Sequence, residues 1–121
     1  MSGLGLDLLE IERLERALER RPGLAERLFT EAERAYAAAR ARPAQHLAAR
    51  FCAKEAVSKA LAMDTFRPRE IEVVATDRAP EVTLHGAVAE QARRLGVRVV
   101  VSLTHSQGTA GAVAMTEPAT P

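Results

Sequence analysis

Three ionisable side chains in two separate segments have the types and spacing for metal-assisted chemistry. Asp7 follows the glycine-rich start of the chain, and Glu55 and Lys59 lie four residues apart in a later segment rich in helix formers. Two carboxylates without a His or Cys partner favour a hard cation such as Mg²⁺, which uses one or two carboxylates with waters and substrate phosphate oxygens. A cation and a lysine beside a pyrophosphate would stabilise the charge that develops on a leaving phosphate. These three residues are therefore candidates for a pyrophosphate-cleaving site.

Each candidate also has a simpler explanation. The Glu55–Lys59 spacing is that of an exposed helical ion pair, which contributes about 0.3–0.5 kcal/mol. An aspartate at a strand end, such as Asp7, often caps the helix that follows. His105 stands beside Ser106, but no G-x-S-x-G motif is present, so a hydrolase triad is disfavoured and a structural or anion-contacting histidine is expected.

Other common sites are disfavoured by spacing. The Gly3-Leu4-Gly5 start lacks the third glycine of a dinucleotide fingerprint, and no P-loop motif occurs. The three histidines are far apart in sequence, and the single cysteine, Cys52, has no neighbouring ligand, so zinc is disfavoured.

Size and charge further restrict the kinds of ligand that the protein could bind and the number of its domains. The chain has 121 residues and a formal net charge of +1, from 17 Lys and Arg against 16 Asp and Glu. It therefore has no whole-molecule attraction to a polyanion, and any preference for anions must be local. Only 3% of residues are aromatic, which disfavours nucleic-acid binding by stacked rings. One domain over residues 1–115 is expected, followed by a disordered Pro/Thr-rich tail over 116–121.

The cysteine count and the distribution of apolar residues bear on location. One cysteine cannot form an internal disulfide, and the start of the chain has no basic segment leading into an apolar one. The longest apolar runs are far shorter than the roughly 20 residues that span a bilayer. A cytoplasmic protein without a membrane span is expected.

The elements that must position the candidate residues follow from periodicity. Alternation over residues 3–9 predicts a strand with leucines on one face and Gly3, Gly5 and Asp7 on the other. Helices are predicted from residue 10 to the Arg21-Pro22-Gly23 stop, from the capping-box pair Thr30 and Glu33 to about residue 42, and over 44–63. Further predicted elements are strands over 71–74, 81–85, 97–105 and 110–115, and a helix over 86–95. Together they predict an α+β domain.

Five segments closely match a known family. They are GLGLDLLEIERL (3–14), FTEAE (29–33), RFCAKEAVSKA (50–60), EIEV (70–73) and VSLTHS (101–106). In order and spacing they resemble the holo-[acyl-carrier-protein] synthases of the 4'-phosphopantetheinyl transferase superfamily. The resemblance runs from Gly3 to about Met115. It implies the fold of that superfamily, with an antiparallel sheet packed against a long central helix, in a homotrimer whose active sites lie between subunits.

The resemblance also implies an activity. This is the transfer of 4'-phosphopantetheine from coenzyme A to a serine of apo acyl carrier protein, with release of adenosine 3',5'-bisphosphate. Matched position by position, Asp7 and Glu55 resemble the Mg²⁺ ligands, and Lys59 the lysine that assists departure of the bisphosphate. Glu55, directly or through a water, would help to remove the serine proton. Such an enzyme would serve fatty-acid biosynthesis or polyketide synthesis.

Further positions resemble the family's contacts with its two substrates. Arg50, Lys54 and His105 match positions that contact coenzyme A phosphates, and each could instead be a surface cation or a sheet-end residue. Arg13 matches a docking arginine for the acidic carrier protein. With Arg16 and Arg20 it forms a basic stripe at i, i+3, i+7 that would favour such a partner, although the glutamates between them also fit a solvated face.

One segment departs from the family, and two other functions stay open. Residues 61–68 contain no glycine, whereas the family usually has one in the segment that borders the coenzyme pocket. A non-catalytic carrier-binding module of the same fold would need the basic stripe but not Asp7, Glu55 and Lys59. A Mg²⁺-dependent hydrolase would use the same residues with water as the acceptor.

Overall fold

Five strands and five α-helices make up the part of the chain, residues 3–119, that the computed structural model describes. The strands are β1 (Leu4–Glu10), β2 (Ile71–Val74), β3 (Glu81–Leu84), β4 (Val97–Ser106) and β5 (Thr109–Pro118). The helices are α1 (Ile11–Arg20), α2 (Leu24–Leu28), α3 (Glu31–Ala38), α4 (Pro43–Ala60) and α5 (Gly86–Leu95). A single 3₁₀ turn (Pro68–Glu70) precedes β2. No helix within residues 3–119 has the length and apolar character needed to cross a bilayer.

An antiparallel three-stranded sheet and one long helix form the centre of the domain. The strand order is β1-β5-β4, so β5 is the central strand. Its Met115 pairs with Leu4 of β1 and with Val100 of β4. The strands β2 and β3 form a separate antiparallel pair. The 18-residue α4 has twelve buried residues. It packs against one face of the sheet, chiefly against β1 and β5. The α+β class, the antiparallel sheet and the long helix predicted from sequence are therefore confirmed in this structure.

Two glycines allow β1 to lie directly on the backbone of α4. A β-carbon on Gly5 would lie 1.9 Å from the Ala56 carbonyl oxygen, and one on Gly3 would lie 2.0 Å from the Ala60 carbonyl oxygen. Only glycine fits such an approach, because real β-carbons do not come so close to a backbone atom. The alternation in β1 thus places the glycine face, which also carries Asp7, against the long helix.

The opposite face of the sheet is apolar and exposed in the single chain. Its side chains come from β1, β5 and β4, and all are more than a third exposed: Leu4 70%, Leu6 61%, Leu8 66%, Val113 37%, Met115 47% and Val100 39%. We call these six residues the outer sheet face. A contiguous apolar patch of this kind is typical of a surface that contacts another protein.

Most predicted elements are present within one to three residues of the expected bounds, but three details differ. The short α2 was not predicted, because its five residues are too few to show a helical period. The helix α3 ends at Ala38 and not near residue 42. Ala62, in the segment that lacks glycine, has φ of 54°, a left-handed conformation that favours glycine.

The predicted disordered tail over residues 116–121 is wrong for its first three residues, which complete β5. The Thr116 N–H donates to Gly3 O at 2.9 Å, and the Gly3 N–H donates to Thr116 Oγ1 at 2.6 Å. Glu117 forms an ion pair with Arg98 at 2.6 Å. These contacts hold the segment on the sheet, while residues 120 and 121 lie outside the described residues.

Candidate active site

The structure brings Asp7 and Glu55 together where β1 crosses α4. Burial, and secondly the Asp7 carboxylate, raise the pKa of Glu55 above its usual value. The buried Cys52 thiol lies beside the same carboxylates, and its burial together with Asp7 and Glu55 raises its pKa to about 12. The two acids therefore share one small region of negative charge, and the nearby thiol stays protonated.

The close contacts of Lys59 at this site are with residues of β1 and not with Glu55. Its Nζ donates to the Leu6 carbonyl oxygen at 3.0 Å and lies 3.7 Å from Asp7 Oδ1. The simple helical Glu55–Lys59 ion pair is not among the salt bridges of residues 3–119. Lys59 is half exposed, with 56% of its side chain accessible, so the ammonium group can turn towards a ligand.

The donor set at this position fits a hard cation that takes most of its ligands from solvent and substrate. Asp7 and Glu55 supply two carboxylates, and their mutual repulsion would be relieved by a divalent cation. Across the described part of the chain, no three or more His, Cys, Asp or Glu side chains converge as a metal cage. Two protein carboxylates completed by waters and phosphate oxygens match Mg²⁺ and do not match zinc.

A second cluster gathers basic and aromatic groups between α3, α4 and β4. Arg50 and His105 line one cavity of about 180 Å³ together with Tyr36 and His46. The Arg50 guanidinium lies 4.1 Å from the centre of the Tyr36 ring, and its Nε is buried without a hydrogen-bond partner. His105 Nε2 lies 3.1 Å from Gln45 Nε2. We call this cluster the basic pocket, and its charge suits an anion.

The electrostatics of the basic pocket support that interpretation. Burial, followed by the Arg50, Arg40 and His105 side chains, lowers the pKa of His46. Burial also lowers the pKa of Arg50. Cationic groups that destabilise one another's charge in this way would be stabilised by a bound phosphate.

The structure contradicts the assignment of Lys54 to a coenzyme phosphate. Its side chain is fully buried, forms an ion pair with Glu33 at 2.8 Å, and donates to the carbonyl oxygens of Pro68 and Ile71. All three N–H groups of the ammonium are therefore used inside the protein. Arg50, one turn earlier on the same face of α4, lines the basic pocket, whereas the Lys54 ammonium is taken up by groups inside the protein.

The arginines of α1 line one side of a groove. Arg13, Arg16 and Arg20 lie together along about 570 Å³ of open space that Glu10 and Arg21 also border. Arg16 pairs with Glu12, so part of its charge is compensated within the helix. Arg13 and Arg20 are exposed and give the stripe its basic character.

Three residues that sequence reasoning missed take part in these clusters. Glu33 was interpreted only as a helix cap, yet it is buried and reaches Lys54 and Val73. Tyr36 and His46 meet edge to face in the basic pocket, with ring centroids 5.7 Å apart. Their positions depend on how α3 packs on α4, which the spacing of residues in the sequence does not indicate.

Comparison with known proteins identifies the family. The model of the 4'-phosphopantetheinyl transferase superfamily matches residues 3–110. The chain belongs to this superfamily. A superfamily member from Moorella thermoacetica, the holo-[acyl-carrier-protein] synthase of that organism, is 48% identical over 117 residues, which cover 93% of this chain and 91% of the relative.

Solved structures of superfamily members have the same architecture. The acyl carrier protein synthase of Mycobacterium tuberculosis is 39% identical, with a TM-score of 0.77 and 96% of each chain covered. The complex of the Chronobacterium ammoniagenes synthase with coenzyme A is 27% identical, with a TM-score of 0.86 and 98% of each chain covered. The fold and family expected from the five sequence segments are confirmed.

Proposed function

We propose that this chain is a holo-[acyl-carrier-protein] synthase. It transfers 4'-phosphopantetheine from coenzyme A to a serine of apo acyl carrier protein and releases adenosine 3',5'-bisphosphate. The observation that carries the proposal is the convergence of Asp7, Glu55 and Lys59 at one position. It occurs in a chain that aligns over nearly the whole length of relatives named holo-[acyl-carrier-protein] synthase. The complex of a related synthase with coenzyme A supports the donor substrate.

The chain's own residues supply the groups that this reaction needs. The serine oxygen forms a bond to the phosphorus that carries pantetheine, and the bond from that phosphorus to the bisphosphate oxygen breaks. Glu55 accepts the serine proton, directly or through a water, and Lys59 donates a hydrogen bond or a proton to the departing phosphate. Asp7 and Glu55 would hold Mg²⁺, which supplies positive charge next to the pyrophosphate when it is bound.

The remaining sites correspond to the two substrates. The basic pocket, with Arg50 and His105, would bind phosphate groups of coenzyme A. The exposed Arg13, with Arg16 and Arg20, would attract an acidic carrier protein and mainly accelerate its association. The product would serve fatty-acid biosynthesis or polyketide synthesis. A reducing compartment, the cytoplasm, suits the free and buried Cys52.

The outer sheet face supports a homotrimer. Its six apolar side chains lie on the side of the sheet away from α4, where each is more than a third exposed within residues 3–119. Association of three copies through this face would remove the patch from water, and the hydrophobic gain would stabilise the assembly. We therefore propose that three copies associate through the outer sheet face.

The basic pocket lies apart from the cluster of Asp7, Glu55 and Lys59, and this separation supports an active site shared between copies. The basic pocket contains none of Asp7, Glu55 and Lys59. On α4, Arg50 precedes Glu55 by five residues, which is roughly 140° around the helix axis. A coenzyme A molecule bound by both clusters would then contact Glu55 of one copy and Arg50 of a neighbour.

The test is a transfer assay with the purified chain, Mg²⁺, coenzyme A and an apo carrier protein. The carrier should gain the mass of phosphopantetheine, and mass spectrometry of the intact protein measures that gain. A carrier-binding module would bind the carrier without changing its mass. A hydrolase would cleave coenzyme A equally well when the carrier is left out. Either result would overturn the proposed transfer.

A further inference from the structure

We infer that the ring of Tyr36 positions the Arg50 guanidinium for a phosphate group of coenzyme A. The inference rests on the proposed function, since it concerns how the basic pocket holds the donor substrate. Tyr36 acts through Arg50 and not through a contact of its own with the substrate, so it is a positioning residue.

Arg50 is a buried cation without a carboxylate partner. Only 4% of the residue is exposed, and it takes part in none of the salt bridges within residues 3–119. The buried Glu33, whose charge acts on Arg50, already forms its ion pair with Lys54. Buried charges are normally paired, so another group must hold the Arg50 side chain in place.

The Tyr36 ring supplies that support. The Arg50 guanidinium carbon lies 4.1 Å from the ring centre. This is well within the roughly 6 Å over which a cation is attracted to the face of an aromatic ring. Burial lowers the pKa of the Arg50 guanidinium, and Tyr36 opposes that effect. The ring therefore stabilises the charged form of Arg50 in the position where it lines the basic pocket.

The packing of α3 on α4 fixes the ring. Glu33 of α3 contacts Lys54 of α4, and three residues later Tyr36 contacts Arg50, which precedes Lys54 by four residues. The two contacts run in opposite order along the two helices, and the spacing of three and four residues places each pair on one helix face. The reciprocal cap of Thr30 and Glu33 fixes the start of α3. The position of Tyr36 is therefore set by the fold and not by a ligand.

A ring differs from a carboxylate in what it leaves available to a ligand. A carboxylate would neutralise the guanidinium and occupy its N–H groups. An aromatic face attracts the cation without neutralising it and leaves those N–H groups for the planar, two-pronged recognition of phosphate oxygens. Arg50 Nε is indeed buried without a hydrogen-bond partner. Tyr36 thus keeps Arg50 fixed, charged and unpaired, which is the state that suits an anion.

The same ring holds two further basic groups beside the pocket. The Arg40 guanidinium carbon lies 3.6 Å from the centre of the Tyr36 ring, and Arg40 Nη1 donates to the Tyr36 carbonyl oxygen at 3.3 Å. The His46 ring meets the Tyr36 ring edge to face. After burial, the charge of Arg40 also lowers the pKa of Arg50, because the two cations repel each other. Without the ring, Arg40 and Arg50 would move apart and the pocket would lose positive potential.

This arrangement predicts a loss of affinity for coenzyme A that requires Arg50. Removal of the ring should weaken binding when Arg50 is present and should have little further effect when Arg50 is already absent, because the two residues act as a unit. A purely structural role of Tyr36 would lower the melting temperature or the fraction of active protein, and would leave the Kd of the folded protein unchanged.

The test is isothermal titration calorimetry of the full chain with coenzyme A as the probe, which does not depend on turnover. Tyr36→Leu should raise the Kd about fivefold or more, whereas the matched control Tyr36→Phe, which keeps the ring, should stay within about twofold. Arg50→Leu should raise the Kd at least as much as Tyr36→Leu does. Adding Tyr36→Leu to Arg50→Leu should change the Kd by no more than about twofold.

Each other outcome overturns the inference. An unchanged Kd in Tyr36→Leu would do so, and so would an equal loss in Tyr36→Phe, since the hydroxyl and not the ring would then matter. A full additional loss on top of Arg50→Leu would show that Tyr36 contacts coenzyme A itself. If Tyr36→Leu does not fold, Tyr36→Met is judged by the same criteria.

Failure of the proposed function has a different signature. A chain that binds coenzyme A with these effects but transfers nothing to a carrier would contradict the proposed transfer and leave the role of Tyr36 intact. An Arg50→Leu variant that binds coenzyme A as the original chain does would remove the basic pocket from the coenzyme site, and the inference would be wrong with it.

Discussion

Gly5 of β1 lies against the carbonyl oxygen of Ala56 on α4, so closely that a β-carbon on Gly5 would be 1.9 Å from that oxygen. This contact sets the distance between the strand that carries Asp7 and the helix that carries Glu55. The chemistry of the candidate site therefore depends on a residue that has no side chain.

The substitution Gly5→Ala should lower both stability and activity. Because the neighbouring atom belongs to the helix backbone, the strand must move, and overpacking of this kind costs about 1–3 kcal/mol. Urea unfolding and the transfer assay measure the two effects. Gly108→Ala is the matched control, since a β-carbon there meets no atom within 4 Å. Equal stability of the two variants would contradict the close packing of β1 on α4.

Glu55→Gln should abolish transfer and raise the melting temperature of the metal-free chain at pH 7.5. Burial and Asp7 raise the pKa of Glu55, so the folded chain binds this proton more tightly than the unfolded chain does. The stability that the protonated group contributes is present below its unfolded value near 4.5 and is lost as the pH rises through its folded pKa. The neutral glutamine avoids that loss.

The pH profile of the melting temperature is the check on this prediction. The gain from Glu55→Gln should be present at pH 7.5 in EDTA and disappear near pH 4, where Glu55 is protonated in both states. A variant that is less stable than the original chain at pH 7.5 would contradict the repulsion between Asp7 and Glu55.

Met115→Lys should break the assembly without unfolding the chain. Met115 is 47% exposed at the outer sheet face, so a lysine fits the single chain but places a charge in the proposed interface. Light scattering after size exclusion measures the mass of the assembly. Leu95→Lys, on α5 and 45% exposed, is the control and should keep the assembly intact. A monomeric original chain, or an unchanged assembly in the Met115 variant, would contradict the proposed interface.

Arg13→Glu should raise the KM for the carrier protein about tenfold at low salt, with a smaller effect at high salt, because rim charges act mainly on association and are screened. The rate of transfer at saturating carrier should change little. Steady-state kinetics at two salt concentrations measure this dependence. Arg93→Glu, an exposed arginine of α5, is the control of equal charge change. An equal rise in the carrier KM for both variants would show that the net charge of the protein, and not a docking site at Arg13, causes the effect.

The sequence predicted what depends on local patterns, and it missed what depends on packing between distant segments. Alternation indicated β1, and the capping-box spacing indicated the start of α3, where Thr30 and Glu33 form both reciprocal hydrogen bonds. The motif drew attention to Asp7 and Glu55, which the structure places near each other, and their proposed role stays a prediction. The assignment of Lys54 to a coenzyme phosphate was wrong, because the spacing of a helical motif does not show whether a lysine is buried. In the structure Lys54 binds Glu33 and two backbone carbonyl oxygens in the core.

The two faces of β1 illustrate the same limit. Periodicity separates the leucines from the glycines, but it does not say which face meets the helix. Burial of apolar side chains would favour the leucine face, and the structure places the glycine face on α4 because only that face permits backbone contact. The exposed leucines are then available for association between copies.

Mixing two inactive variants tests the shared active site most directly. Glu55→Gln removes the acid in one copy, and Arg50→Leu removes the buried guanidinium of the basic pocket in another. Each variant alone should transfer little phosphopantetheine at a low concentration of coenzyme A. Trimers formed after the two are denatured together and refolded should regain a measurable part of the original activity, because some sites combine an intact Glu55 with an intact Arg50 of a neighbour. Mixed trimers with no more activity than the separate variants would contradict a site built from two copies.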